Sequence, residues 1–70
     1  MDRNEKVLHS FGQRLTQLRE ERHLSIPDLA ARAGLNARHI ERIEAGEINL
    51  LVSTVFRLAK ALGVSPGDLM

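Results

Sequence analysis

The sequence predicts an all-α protein, a compact domain of five short helices, and three observations carry that expectation. Leucine, alanine, arginine and glutamate are abundant, while β-branched and aromatic clusters are scarce, which favours helix over strand. Phe11 and Phe56 are the only aromatic residues. Apolar residues recur at steps of three and four, and glycines and capping residues cut the chain into pieces of helical length.

Leu8, Phe11, Leu15 and Leu18 form one apolar stripe, with Arg14, Gln17 and Glu21 off it. This predicts a first helix over roughly 7–22, preceded by a flexible lead-in, Met1–Lys6. Ser25 then caps a second helix. Asp28 stands three residues on, as in a capping box, and Pro27 falls in the first turn, where its missing N–H has no intrahelical role. Leu29, Ala30 and Ala33 supply the inner face, and Gly34 ends the helix. Asn36 caps a third helix, Ala37–Ala45, whose Ile40 and Ile43 point inward; Gly46 closes it. A loop follows over Glu47–Val52. Val55, Leu58, Ala59 and Leu62 mark a fourth helix ending at Gly63. Ser65 and Pro66 open a fifth, so the domain covers 7–70.

Composition excludes several classes. A 70-residue chain is one domain at most, and it buries only about 60% of the surface its unfolded form exposes. There is no cysteine, hence no disulfide and no thiolate metal site. His9, His23 and His39 lack a paired ligand spacing, so no metal and no cofactor is expected. A cysteine-free chain with no apolar run near 20 residues and a polar N-terminus fits a cytoplasmic protein, with no membrane partner. No ordered Ser/His/Asp set and no phosphate-cradling glycine loop is present, so an enzyme is not expected. Gly12, Gly34, Gly46, Gly63 and Gly67 read as punctuation. The net charge is +1, so a nucleic-acid reader of this composition must gather its cations on one face.

That face is found between Leu24 and Gly46. Two short helices meet across a tight turn at Gly34, with the small Ala30 where they approach closely, which is the geometry of a helix-turn-helix. With Ile40 and Ile43 turned inward, Arg38, Glu41 and Arg42 turn out, and the two arginines, four apart, share a face.

The chain closely resembles the lambda-repressor-like (XRE or Cro-type) helix-turn-helix family from Phe11 to Leu69. The resemblance is carried in order by Phe11-Gly-Gln-Arg-Leu15, Leu18-Arg19, Leu24-Ser25, Leu29-Ala30, Ala33-Gly34-Leu35, Ile40-Glu-Arg-Ile-Glu-Ala-Gly46 and Leu58-Ala-Lys-Ala-Leu-Gly-Val-Ser65. It implies a sequence-specific binder of double-stranded DNA, a transcriptional regulator whose third helix enters the major groove. It places Ala37, Arg38 and Arg42 at base-reading positions. Ala37 suits a thymine methyl, the arginine forks suit guanine, and Glu41 suits the cytosine amino group. Phosphate contacts are expected from Arg14, Ser25, His39 and Asn49. Arg19 and Glu44 match a pair that the family buries as a salt bridge.

Three departures stand out. Ile26 replaces the usual glutamine and faces Ala37, leaving only an apolar brace. Glu47 and Ile48 stand where the family is basic or polar. Leu50 and Leu51 replace proline and a capping serine. These leucines either extend the core or form a dimer seam with Val64, Leu69 and Met70; the seam is favoured, because exposed apolar patches mark partners. The expected protein is therefore a homodimer on a palindromic operator, with no small-molecule ligand. The alternative is a protein-interaction adaptor or antitoxin-like module on the same fold.

Overall fold

The computed structural model describes residues 3–70. It contains five helices in chain order: α1 (Arg3–Glu21), α2 (Ile26–Ala33), α3 (Ala37–Glu44), α4 (Val52–Leu62) and α5 (Pro66–Leu69). No strand occurs among the described residues. No described helix is long and apolar enough to cross a membrane.

The expected lead-in is mostly helix. Arg3–Lys6 already belong to α1, whose first turn holds Glu5, a favourable charge at the positive end of the helix dipole. Met1 and Asp2 lie outside the described residues. At its other end, α1 closes without glycine. His23 takes a left-handed conformation (φ 55°), and the Leu24 N–H donates to the Arg19 carbonyl at 3.1 Å.

Local chemistry sets the next two helices. The Ser25 hydroxyl accepts from the Asp28 N–H, and the Asp28 carboxylate accepts from the Ser25 N–H, both at 3.1 Å. Gly34 ends α2 in the left-handed region (φ 71°), where a Cβ is penalised. The Asn36 side-chain oxygen accepts from the His39 N–H at 2.7 Å and starts α3 two residues after that glycine. Helix α3 ends at Glu44, with Ala45 as its cap, one residue short of the expected boundary.

Helix α4 starts differently. Leu51 occupies the cap position with extended backbone and makes no side-chain bond to the helix; only its carbonyl accepts from Thr54 and Val55. Val52, read as loop from the sequence, is the first residue of this helix. Helix α5 opens at Ser65, whose N–H donates to the Asp68 carboxylate at 3.1 Å.

The core sits where these helices meet. Leu15, Leu29, Ile40, Ile43, Leu58 and Leu69 are its largest fully enclosed side chains. Helix α2 packs on α3 and α4, α1 on α3 and α5, and α4 on α5. Leu69, expected at a dimer seam, is 1% exposed and belongs to this core. A four-residue helix has no core face of its own, so α5 docks by inserting its one large apolar side chain between α1 and α4. Arg22 fastens the far end of α1. Its Nε donates to the carbonyl of Leu62, the last residue of α4, at 2.7 Å, and its Nη1 donates to Leu18.

Candidate nucleic-acid interface

Helix α3 is amphipathic in the strict sense. Ile40 and Ile43 are buried, and Arg38, Glu41 and Arg42 are exposed on the opposite side. Arg38 and Arg42 line one shallow depression of about 290 Å³ together with Asn36, His39 and Ile48. Both arginines are therefore exposed on the same part of the surface. Neither is in an ion pair among the described residues. Glu41 is exposed beside them but does not line the depression. Ala37 and Ile26 are half-buried and pack against the core, so the polar brace of the family is replaced here by apolar contact with the domain itself.

A helix can present its side chains to a partner only if its own axis is fixed, and α3 is held at its C-terminal end by α1. Arg19 grips Glu44 with two prongs, Nε to Oε2 at 2.7 Å and Nη2 to Oε1 at 3.2 Å. Its remaining nitrogen donates to the Leu24 carbonyl at 2.8 Å. The two side chains are only 12% and 10% exposed. The hydrogen bond to Glu44 raises the Arg19 pKa above its ordinary value, against the opposing effect of burial. The guanidinium therefore stays charged at any working pH, and the clamp does not titrate open from that side.

The four residues expected on phosphates are dispersed. His39 stands at the start of α3, half-buried, with its backbone N–H taken by Asn36. Ser25 is exposed at the start of α2, but the Asp28 carboxylate already occupies that end. Bonds from the Ser25 backbone and hydroxyl hold Asp28 ionised, with its pKa lowered, so a negative charge stands beside any approaching anion. Asn49 lines an apolar groove rather than the arginine depression. Arg14 is committed within the domain. Its Nε donates to the Asp68 carbonyl on α5 at 2.8 Å and its Nη1 to Gln17, so it anchors the last helix instead of lying beside α3.

The seam residues divide as well. Leu50 and Val64 are half-buried against the core, while Leu51 and Met70 are exposed. Sequence reasoning left Val7, Val52 and Phe56 out of the seam. Val7 and Val52 line a groove of about 280 Å³ with Met70, Leu8, Phe11, Leu50 and Val55. Phe56 lies four residues beyond Val52 on α4, and so on the same side of that helix. The exposed large apolar side chains range from 56% for Phe56 to 85% for Met70. A bulky aromatic off the apolar stripe of the fourth helix was the available signal.

Known proteins share this architecture and sequence. A family described as a helix-turn-helix domain matches residues 10–70. The chain is 41% identical over 64 residues to the HTH-type transcriptional repressor RghR of Bacillus subtilis (strain 168), covering 90% of this chain but 47% of that protein. It is 36% identical over 61 residues to the control protein C.BamHI of Bacillus amyloliquefaciens, covering 86% of this chain and 75% of that protein. Among solved structures, the restriction-modification controller protein C.AhdI from Aeromonas hydrophila superposes with a TM-score of 0.88 at 36% identity, covering 90% of this chain and 96% of that one. With two short helices joined at Gly34, the second carrying paired arginines, the chain belongs to the lambda-repressor-like helix-turn-helix family of DNA-binding transcriptional regulators, not to a family of enzymes.

Proposed function

We propose that this protein regulates transcription as a homodimer that reads a palindromic operator in double-stranded DNA. The observation that carries the proposal is the shared depression of Arg38 and Arg42 on the outer face of α3. In the major groove the two forks take guanine O6 and N7. Ala37 meets a thymine methyl, and Glu41 takes a cytosine amino hydrogen. His39 and the amides at the start of α3 face the phosphates. Few cations surround this face, so the salt dependence of binding is shallow, about −0.9 in the log–log slope per phosphate neutralised.

The homodimer rests on the apolar groove flanked by Leu51, Val52, Phe56 and Met70. A second copy covers the same groove about a two-fold axis, and a two-fold protein reads a two-fold site with half-sites about 34 Å apart. The similarity to controller proteins of restriction–modification systems supports regulation of this kind. Which genes are addressed is a matter for the operator.

Selection of sites from random duplex DNA tests the reading. An approximate inverted repeat with guanines in each half-site is expected, and Arg42→Ala should cost about 1–3 kcal/mol on that site and relax one base position. Recovery of no enriched site, with no salt-dependent binding to duplex DNA, would turn the assignment toward a protein adaptor built on the same fold.

A further inference from the structure

Gly12 lies in the interior of α1, where glycine is an unfavourable residue, and the sequence pattern of the helix does not require it. The structure supplies the reason. A Cβ built on Gly12 would collide with the Glu44 carbonyl oxygen and stand 2.7 Å from the carbonyl oxygen of Ile43. Both are main-chain atoms of the last turn of α3, which cannot swing aside as a side chain can. The backbone of α1 is thus notched at Gly12, and the end of α3 rests in the notch. The Thr16 hydroxyl donates to the Gly12 carbonyl at 3.0 Å, and Arg19 holds Glu44 from seven residues on, along the same side of α1.

We infer that Gly12, acting with Arg19, is a positioning residue for base readout: it sets how closely the C-terminal end of α3 seats on α1, and so where Arg42 can reach. This rests on the DNA-reading role proposed above. The two ends of α3 are held by different devices. The N-terminal end is fixed by the Asn36 cap and the turn from α2, far from the notch. A side chain at Gly12 pushes the Ile43 carbonyl back by at least 0.7 Å to restore an ordinary 3.4 Å contact. Helix α3 has eight residues, about 12 Å of rise, and it pivots about its capped end. Arg42, next to the pushed turn, takes nearly the whole displacement, and Arg38, in the first turn, takes little. A bidentate contact tolerates about 0.5 Å of error, so the two arginines respond unequally.

The test is site selection and competition binding with the wild-type chain, Gly12→Ala and Arg19→Lys, with folding followed by circular dichroism. The base pair that faces Arg42 is the one whose preference Arg42→Ala relaxes. The expected result is that Gly12→Ala binds random duplex DNA as the wild type does. Its preference at the Arg42 base pair should fall about tenfold while that at the Arg38 base pair is retained. A merely structural role would lower both preferences together through loss of folded protein, and that outcome, or retention of both, overturns the inference. If Gly12→Ala does not fold, Arg19→Lys, which keeps the charge but loses the two-pronged grip, is judged by the same two outcomes. A wild-type chain that shows no salt-dependent duplex binding overturns the DNA reading itself and the inference with it. A selective wild type with uniform loss in the variants overturns the inference alone.

Discussion

The two ends of the segment from α3 to α4 are built on opposite terms. Helix α3 is closed at both ends by groups of its own domain: the Asn36 side chain at the start, and the Arg19 grip on Glu44 at the finish. Helix α4, a few residues later, begins at Leu51 with no side-chain cap and with Leu51 and Val52 standing in solvent. The first region spends polar chemistry on rigidity and leaves its charged face open. The second gives up a cap, worth about 1 kcal/mol, and exposes apolar surface in its place. A domain this small has little stability to forgo, so the second arrangement makes sense where another molecule covers the surface.

The comparison can be broken most forcefully at the clamp. Glu44→Ala leaves the Arg19 guanidinium largely enclosed and unpaired, and should cost about 3 kcal/mol or somewhat more in chemical denaturation. A loss below about 1 kcal/mol would mean that the pair behaves as a surface contact and that α3 is held by packing alone. A smaller effect, with two signs, is expected at α4. Leu51 has the extended backbone of a cap residue (φ −82°, ψ 147°), so Leu51→Ser can bond the α4 amides without strain. It should raise the stability of the isolated domain by about 1 kcal/mol and weaken self-association measured by sedimentation. Stabilisation with unchanged mass would remove Leu51 from the proposed seam.

The smallest effect belongs to the capping box of α2. Bonds from the Ser25 backbone and hydroxyl lower the Asp28 pKa below its unfolded value. The stabilisation is therefore fully present above the unfolded carboxylate range. It fades as pH falls through the lower folded value, when the neutral acid accepts from the Ser25 N–H only weakly, without the charge that strengthens the bond. Asp28→Asn should flatten that part of the acid limb in a stability–pH profile. An unchanged limb would show that the box contributes nothing measurable at this exposed position.

What the sequence made legible follows the range of the interactions involved. Capping and turn chemistry act within three or four residues, and so Ser25 with Asp28, Asn36, Gly34 and Gly63 located the helices to within a residue or two. The inward Ile40 and Ile43 oriented α3 by the same local logic. What local patterns do not reveal involves partners far apart in the chain. Arg14 meets Asp68 across 54 residues, which no spacing reveals. Leu69 has the look of a free apolar end until the cleft between α1 and α4 is seen to enclose it. Gly12 has the look of punctuation in the sequence although it stands mid-helix, and an isolated glycine there is itself a sign of close packing. The apolar stripe begins only at Leu8 and so marks the helix start late, whereas helix needs only compatible residues to run on to Arg3.

The connector between α3 and α4 contributes neighbouring residues to different surfaces: Ile48 to the arginine depression, Asn49 and Leu50 to the apolar groove. The surfaces proposed for nucleic-acid contact and for self-association thus share one short connector, and a substitution in it should register in both assays at once. Separating the two properties requires substitutions away from the connector, such as Arg42 for one and Phe56 for the other.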